Sequence, residues 1–436
     1  MLPYQIQTTN DLLTSRAGLI CIAQLMNNIG FAGLVDRYFP HPQSNRGFEP
    51  SVFVTALVIM LHEGGSCLDD LRHIREDGAL TQLLSIKVPE SDSMGDWLRR
   101  VGLDGVKATE EINKPLLQLA LHDRRSITLD IDATLSASQH RTAEWTYKKC
   151  TGYMPIVGHV AETGQVVATD FRAGNVAPAT QNLEFIHQCE KALPAGVRVS
   201  KLRVDAAGYQ VTILDECINR DIQFAIRAKM NQSLKAMVEE QSGDAWQPLL
   251  DRQGREIQDE STCRFLHSMN QSQHAFTVIV QRKKIHGQFV LDLKEETTEE
   301  IVYQGEYMYR AIATNRDDLS NSELVHWYNQ RGEASENRLK ELKLDFGAHR
   351  MPCNDFAANA LYFSLCALAY NLFALMRLVL PVRFESCRAK TIRWRLYALA
   401  GKIVMHGRKL YLKVKAAHRA LLEEVLGALG KLACAP

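Results

Sequence analysis

The sequence predicts a mixed α/β core flanked by helical regions, and three observations support this. Residues 11 to about 121 keep a helical periodicity. Residues 126–134 then alternate strictly between apolar and polar. From there to residue 228, short apolar runs alternate with helical segments.

The helical start is read in LLTSRAGLICIAQLMNNIG, PSVFVTALVIMLHEGG, DSMGDWLRRVG and KATEEINKPLLQLALHD. In residues 126–134, Ile127, Leu129 and Ile131 share one face, and Thr128, Asp130, Asp132 and Thr134 share the other. Residues 155–161 and 165–171 flank Glu162-Thr163-Gly164, the pattern of a hairpin. A helix at 179–193, a strand at 199–205, a helix at 209–219 and a strand at 222–228 follow. Short turns favour an antiparallel start and helical crossovers favour parallel additions. The order of three strands, helix, strand, helix, strand is that of the ribonuclease H-like fold. Residues 232–306 read as a β-rich insertion, with strands at 274–281 and 284–293. Residues 307–313 return to the core, and Ser320 with Glu323 offers a capping box for a helix through Lys343. The expected organisation is a helical N-terminal region (1–121), a first core part (122–231), the insertion (232–306), a second core part (307–380) and a basic helical C-terminal region (381–436).

The 436 residues, 46% hydrophobic, are enough for a large core. Lys and Arg total 51 against 50 acids, so overall charge selects no partner. The distribution does. Between Glu385 and Glu423 there is no acid, while ten cations, Arg393 and Arg395 among them, stand with Trp394, Tyr397 and Tyr411. That run suits a DNA backbone. Ten scattered cysteines form no C-x-x-C pair, which argues against a zinc site and for reduced thiols in a cytoplasmic protein. The N-terminal residues lack the pattern of a secretory signal. Residues 356–376 are uncharged but interrupted by Asn359, Ser364 and Asn371, which favours a buried core helix over a membrane span.

Hydrolysis of a phosphodiester needs a strong nucleophile and a way to hold negative charge, and two divalent ions roughly 3.5–4 Å apart on carboxylates supply both. Asp132 lies on the polar face of the first strand, and Asp205 ends a later strand just before Ala206-Ala207-Gly208. A third acid has to come from a helix. Glu336 qualifies, because helical spacing places Lys340 and Lys343 on its face. Each acid taken alone reads more readily as an ordinary turn, cap or surface residue. Asp130, on the same face as Asp132, remains an alternative first acid.

Three segments carry a resemblance: Asp132-Ala-Thr134, Arg203-Val-Asp205-Ala-Ala-Gly208-Tyr209, and Tyr328-Asn-Gln-Arg331-Gly-Glu-Ala-Ser-Glu336-Asn-Arg-Leu-Lys-Glu-Leu-Lys343. In this order they resemble the DDE transposases of bacterial insertion sequences, in the group with a Tyr-Arg-Glu-Lys signature. Gly152-Tyr-Met-Pro155, Phe171-Arg-Ala-Gly-Asn175 and Ala313-Thr-Asn315 extend the resemblance over about residues 90 to 410. It implies a ribonuclease H-like core with a β-strand insertion before the Glu. It also implies cut-and-paste transposition dependent on Mg2+, with Mn2+ able to substitute and two ions at Asp132, Asp205 and Glu336. The implied partners are double-stranded DNA, as terminal inverted repeats and target, and a second copy of the chain on that DNA. Related enzymes pass through a DNA hairpin. Tyr328, Arg331, Lys340 and Lys343 would then contact DNA.

The third motif departs from the pattern. Four residues rather than three separate Arg331 from Glu336, which in a straight helix swings Arg331 about 140° away. Gly332 could absorb the extra residue as a bulge, or Glu333 could be the ligand instead. Trp246, in the insertion, is either a core residue or a stacking platform for an unpaired base. Other readings are a DNA-binding relative without catalysis and a ribonuclease H-like nuclease.

Overall fold

The computed structural model describes residues 5–42, 47–285, 301–304, 306–332, 336–385 and 387–432. Strand β1 (Leu12–Thr14) precedes helices α1 (Ile20–Asn28), α2 (Phe31–Tyr38), α3 (Pro50–Glu63), α4 (Leu71–Arg75), α5 (Gly78–Leu84) and α6 (Ser91–Ala120). Next come β2 (Ser126–Ala133), the short strands β3 (Ser136–Ala137), β4 (Glu144–Trp145) and β5 (Thr151–Tyr153), then β6 (Ile156–Val160) and β7 (Val166–Asp170). Helix α7 (Asn182–Ala192), β8 (Arg198–Val204), α8 (Val211–Asn219) and β9 (Gln223–Ala228) follow. After α9 (Gln232–Glu239) the chain forms β10 (Gln247–Leu250), β11 (Glu256–His267), β12 (Phe276–Lys284), β13 (Val302–Gln304) and β14 (Tyr307–Thr314). It ends with α10 (Asn321–Gln330), α11 (Glu336–Asp345), α12 (Phe356–Arg377), α13 (Ala389–Ile392), β15 (Gly401–His406), β16 (Lys409–Lys413) and α14 (Ala416–Leu432). These elements form two compact units. One comprises Asp123–Thr134 and Met154–Arg338, and the other Met1–His122, Leu135–Tyr153 and Leu339–Pro436.

The first unit is built on one mixed sheet in the order β10-β11-β12-β14-β9-β8-β2-β6-β7, with β13 also on β14. The tight turn at Gly164, whose φ of 82° suits glycine, makes β6 and β7 antiparallel. Crossovers through α7 and α8 make β8 parallel to β2 and β9 parallel to β8. Counted along the chain, these five strands therefore lie third, second, first, fourth, fifth. The strands expected as an insertion extend this same sheet, because β14 pairs antiparallel with both β9 and β12. Most of the strand expected at 284–293 lies outside the described residues. Ile127, Leu129 and Ile131 are buried, as the alternation of β2 requires. Against Ala225, Ile279 and Ile312 of the sheet, α10 packs Leu324, Val325 and Tyr328. The start of α10 is fixed by the capping box, in which the Ser320 hydroxyl accepts from the Glu323 N–H at 3.3 Å and the Ser320 N–H donates to Glu323 Oε2 at 2.9 Å.

The second unit is centred on α12. This helix is long and apolar enough to cross a membrane, but the whole apolar window is buried in the protein, against α6 and α3. Phe53 and Phe39 stack on Trp97 at 5.0 and 5.6 Å between ring centroids. Two expectations fail here. Residues 12–14 are extended rather than helical, because they pair with β15. The C-terminal region is not uniformly helical either, since β15 and β16 form a hairpin within it. Ile403 and Val404 favour a pleat, and Gly407 and Arg408, at φ 56° and 62°, supply the two left-handed positions of a tight hairpin turn.

His62 is fully buried in this unit, with its Nε2–H donated to the Ala369 carbonyl at 3.0 Å and Nδ1 at 3.1 Å from the Tyr397 hydroxyl. Burial, reinforced by the Arg393 charge, pushes its pKa down to about 3. The unfolded chain takes up a proton near pH 6.5 and the folded one does not, so stability falls as pH drops below about 6.5, by roughly 2 kcal/mol at pH 5. Urea unfolding from pH 7.5 to 5 should record this slope, and His62→Gln should flatten it at the cost of a lower plateau.

Candidate active site

The parallel pairing of β2 with β8 matches Asp130 to Arg203 and Ile131 to Val204. The next residue on β2 is Asp132, and the residue that follows β8 is Asp205, still extended. Matched residues on neighbouring strands point the same way, about 4.8 Å apart. Continued by one residue, the register brings the two carboxylates side by side at this end of the strand pair. Asp205 Oδ1 accepts the Ala207 N–H at 3.0 Å, which orients the carboxylate over the turn that follows. That turn needs Gly208, where a Cβ would lie 2.6 Å from the Val204 Cβ.

Arg331 faces this pair. Its Nη2 donates to the Ile131 carbonyl at 3.1 Å and stands 3.4 Å from Asp132 Oδ1. Burial opposes the guanidinium charge, but Asp132, Tyr328, Asp205 and Asp130 together hold its pKa above the ordinary arginine value. Arg331 and Gly332 form a π turn just after α10. The residues between Gly332 and Glu336 lie outside the described ones.

Behind the two acids lies a buried charged layer. Asp130 is fully buried and receives both Nε and Nη2 of Arg203 at 2.7 Å. The third nitrogen, Nη1, donates to the Trp327 carbonyl of α10 at 2.7 Å. Burial raises the Asp130 pKa, partly offset by Arg203. His159, matched to Asp130 on β6, is buried beside Arg203, Arg331 and Arg338; burial and then these cations push its pKa well down, so the ring is neutral. Asp130 is therefore committed to Arg203, and Asp132 is the acid at the rim, with its side chain 17% exposed.

Tyr328 and Arg331 were expected at DNA but are buried, Tyr328 because its ring lies on the face of α10 that packs the sheet and its hydroxyl reaches the Val204 carbonyl at 3.4 Å. Arg393 was also expected at DNA and is spent internally. It donates to the carbonyls of His62 (2.8 Å), Leu61 (2.9 Å) and Asp345, pairs with the Asp345 carboxylate and stacks on Phe346. Arg395 and Lys340 are exposed, and Lys343 is half-buried. Glu336 opens α11, but its side chain lies outside the described residues, as does Glu333. Trp246 is half-buried, with the Arg282 guanidinium 3.9 Å over its ring. Sequence reasoning missed the structural roles of Arg203 and His159. Their positions on the polar faces of β8 and β6, opposite Asp130, were the available signal.

Among the described residues no three His, Cys, Asp or Glu side chains form a metal cluster. Asp132 and Asp205 nonetheless fit a hard divalent ion, since Mg2+ is commonly held by one or two carboxylates with water and substrate phosphate completing the shell. The two neighbouring acids of β2 should separate on mutation. Asp130→Asn leaves Arg203 buried without its counter-charge and should cost about 3–5 kcal/mol in urea unfolding, whereas Asp132→Asn, at the rim, should cost less than about 1 kcal/mol.

No curated protein matches the chain. A cryo-EM structure of a piggyBac transposase synaptic complex with hairpin DNA is similar at 12% identity and a TM-score of 0.48, over 87% of this chain and 79% of that one. The family described as Transposase DDE domain group 1 matches residues 4–434, nearly the whole chain, and the protein therefore belongs to that family of DDE transposases.

Proposed function

We propose that this protein cuts DNA at the ends of a mobile element and joins the freed ends to target DNA, with Asp132, Asp205 and Glu336 as its catalytic carboxylates. One observation above all supports the reading, the parallel register of β2 with β8, which runs up to the residues just before Asp132 and Asp205. The strand order third, second, first, fourth, fifth supports a ribonuclease H-like core around them. A bound divalent ion, Mg2+ or Mn2+, would supply Lewis acidity at the phosphate and an activated oxygen nucleophile. Asp132 and Asp205 would hold it, with Glu336 completing the carboxylate set from the start of α11.

The remaining groups position and balance. Arg331 offsets repulsion between the two acids, which lets them share a small volume. Arg203 ties β2 to β8 and to the Trp327 carbonyl, and so fixes the carboxylates relative to α10. Lys340 and Lys343 follow Glu336 at helical spacing on α11 and suit phosphate oxygens. Arg395, exposed in the basic C-terminal region, suits a DNA backbone. Two ends have to be processed together, which calls for a dimer on DNA, and the hairpin route of related enzymes is the one proposed.

Cleavage of DNA carrying the element's terminal inverted repeats, followed on gels with Mg2+ or Mn2+, tests this. Asp132→Asn, Asp205→Asn and Glu336→Gln should each lower the rate more than about 100-fold, since losing even a group that merely supports a metal ligand costs 10–100-fold. DNA affinity should stay within a few-fold. Unchanged cleavage in all three variants would reject the carboxylate assignment. Loss in Glu333→Gln with retention in Glu336→Gln would move the third ligand. Wild-type protein that binds these ends with either metal but never cuts them would identify a non-catalytic relative.

A further inference from the structure

The hairpin of β15 and β16 carries its charges in an order that packing does not explain. Its register matches Lys402 to Lys413, Ile403 to Leu412, Val404 to Tyr411, Met405 to Leu410 and His406 to Lys409. Side chains alternate between the two faces of a strand, and matched residues share a face. Lys402, Val404, His406, Lys409, Tyr411 and Lys413 therefore stand together on one side of the ribbon. The opposite side, with Gly401, Ile403 and Leu412, is turned to the protein at its base. There Gly401 and Ile403 are buried, and a Cβ on Gly401 would meet the Ala17 Cβ at 2.8 Å. Nearer the tip, Met405 and Leu410 of that same inner side are exposed, so the ribbon projects past its support.

The outward side gathers cations. Lys409, Tyr411 and Lys413 are exposed, as are His406 and Arg408 at the turn. Like charges directly opposite one another on a sheet repel, and Lys402 stands opposite Lys413. Asp11, 2.8 Å from the Lys402 ammonium, offsets one charge of that pair. The chain has no acid between Glu385 and Glu423 to offset the others locally. A surface that sets like charges face to face loses stability by itself and regains it when a polyanion lies across it. Cations of the same region outside the hairpin are used differently, since Arg388 and Arg393 meet Asp345 and Arg419 pairs with Glu423. Lysines also blunt an open strand edge, and β16 is the edge of its sheet. Edge protection accounts for Lys409 and Lys413, but not for Lys402 on the central strand or Arg408 in the turn.

We propose that the outward side of the β15–β16 ribbon is a docking surface for the backbone of double-stranded DNA, with Lys409 and Lys413 pairing with phosphates and the Tyr411 hydroxyl between them donating to another. A two-stranded ribbon fits the major groove, about 12 Å wide, where cations on both of its strands reach phosphates. DNA as the polyanion rests on the transposase reading. The charged surface itself does not depend on the assignment of Asp132, Asp205 and Glu336.

The test is fluorescence anisotropy of full-length protein with a labelled DNA duplex of unrelated sequence, because phosphate contacts carry no sequence information. Lys409→Gln with Lys413→Gln should lower the slope of log affinity against log salt by about 1.8, at roughly 0.9 for each phosphate contact on B-DNA. Carried from a common affinity at about 1 M salt, that is a loss of roughly 30-fold at about 0.15 M. Lys409→Arg with Lys413→Arg keeps both charges and should bind like the wild type. The melting temperature of the glutamine variant should not fall, since Lys413→Gln relieves the repulsion with Lys402. Unchanged affinity and slope would overturn the proposal, as would a loss that the arginine pair fails to restore. Aggregation of the glutamine variant at unchanged DNA affinity would reduce the lysines to edge protection. Altered self-association at unchanged DNA affinity would make the ribbon a protein interface, and either result rejects the docking surface. Tighter binding of an RNA duplex through the same lysines would reject DNA as the occupant. Weakened duplex binding in the glutamine variant, alongside normal cleavage in the carboxylate variants, would reject the catalytic assignment and leave this surface standing. Normal duplex binding alongside lost cleavage in the carboxylate variants would do the reverse.

Discussion

The buried pairing of Asp130 with Arg203 is the constraint on which the rest of the site depends. Two charges removed from water gain little net stability unless their remaining hydrogen-bonding capacity is filled. Here it is filled, because Arg203 gives two nitrogens to Asp130 and its third to the Trp327 carbonyl. A bidentate guanidinium–carboxylate pair tolerates little change in register. The contact therefore locks β2 to β8 in the one alignment that brings Asp132 level with Asp205, and it holds α10 against the same face.

The electrostatics of the site follow from that alignment. Two carboxylates on adjacent strands repel, and a buried arginine with both within its field offsets the repulsion. The neutral His159 fills the neighbouring position without adding a fourth cation to Arg203, Arg331 and Arg338. The acids divide by burial. Asp130, matched to Arg203 and covered, holds the strands in register, while Asp132, two residues further along the same face, reaches the rim.

In the unit centred on α12, hydropathy and charge are explained by packing. The apolar run of α12 lies wholly inside the protein, and its Asn359 is satisfied by the Cys353 backbone and the Tyr153 hydroxyl. Arg393 shows how one cation of a basic stretch is used inside the fold. In sequence it is one cation of ten, yet its guanidinium is consumed by backbone carbonyls near the ends of α3 and α11. Carbonyls at helix C-termini attract cations, so a basic residue next to such ends is drawn inward rather than toward a partner.

What the sequence determined by itself was periodicity and punctuation. The alternation from Ser126 onward gave β2 and its two faces, Gly164 gave the turn between β6 and β7, and Ser320 with Glu323 gave the start of α10. These signals are local, carried by side-chain spacing and backbone conformation within a few residues. Register and partnership are not local. Which of Asp130 and Asp132 would be covered, whether Arg331 would face solvent or a carboxylate, and whether residues 401–413 would coil or pleat all depended on what lay opposite. Strand pairing and burial decided them, because the cost of an uncompensated charge or an unpaired backbone group is set by neighbours far away in the chain.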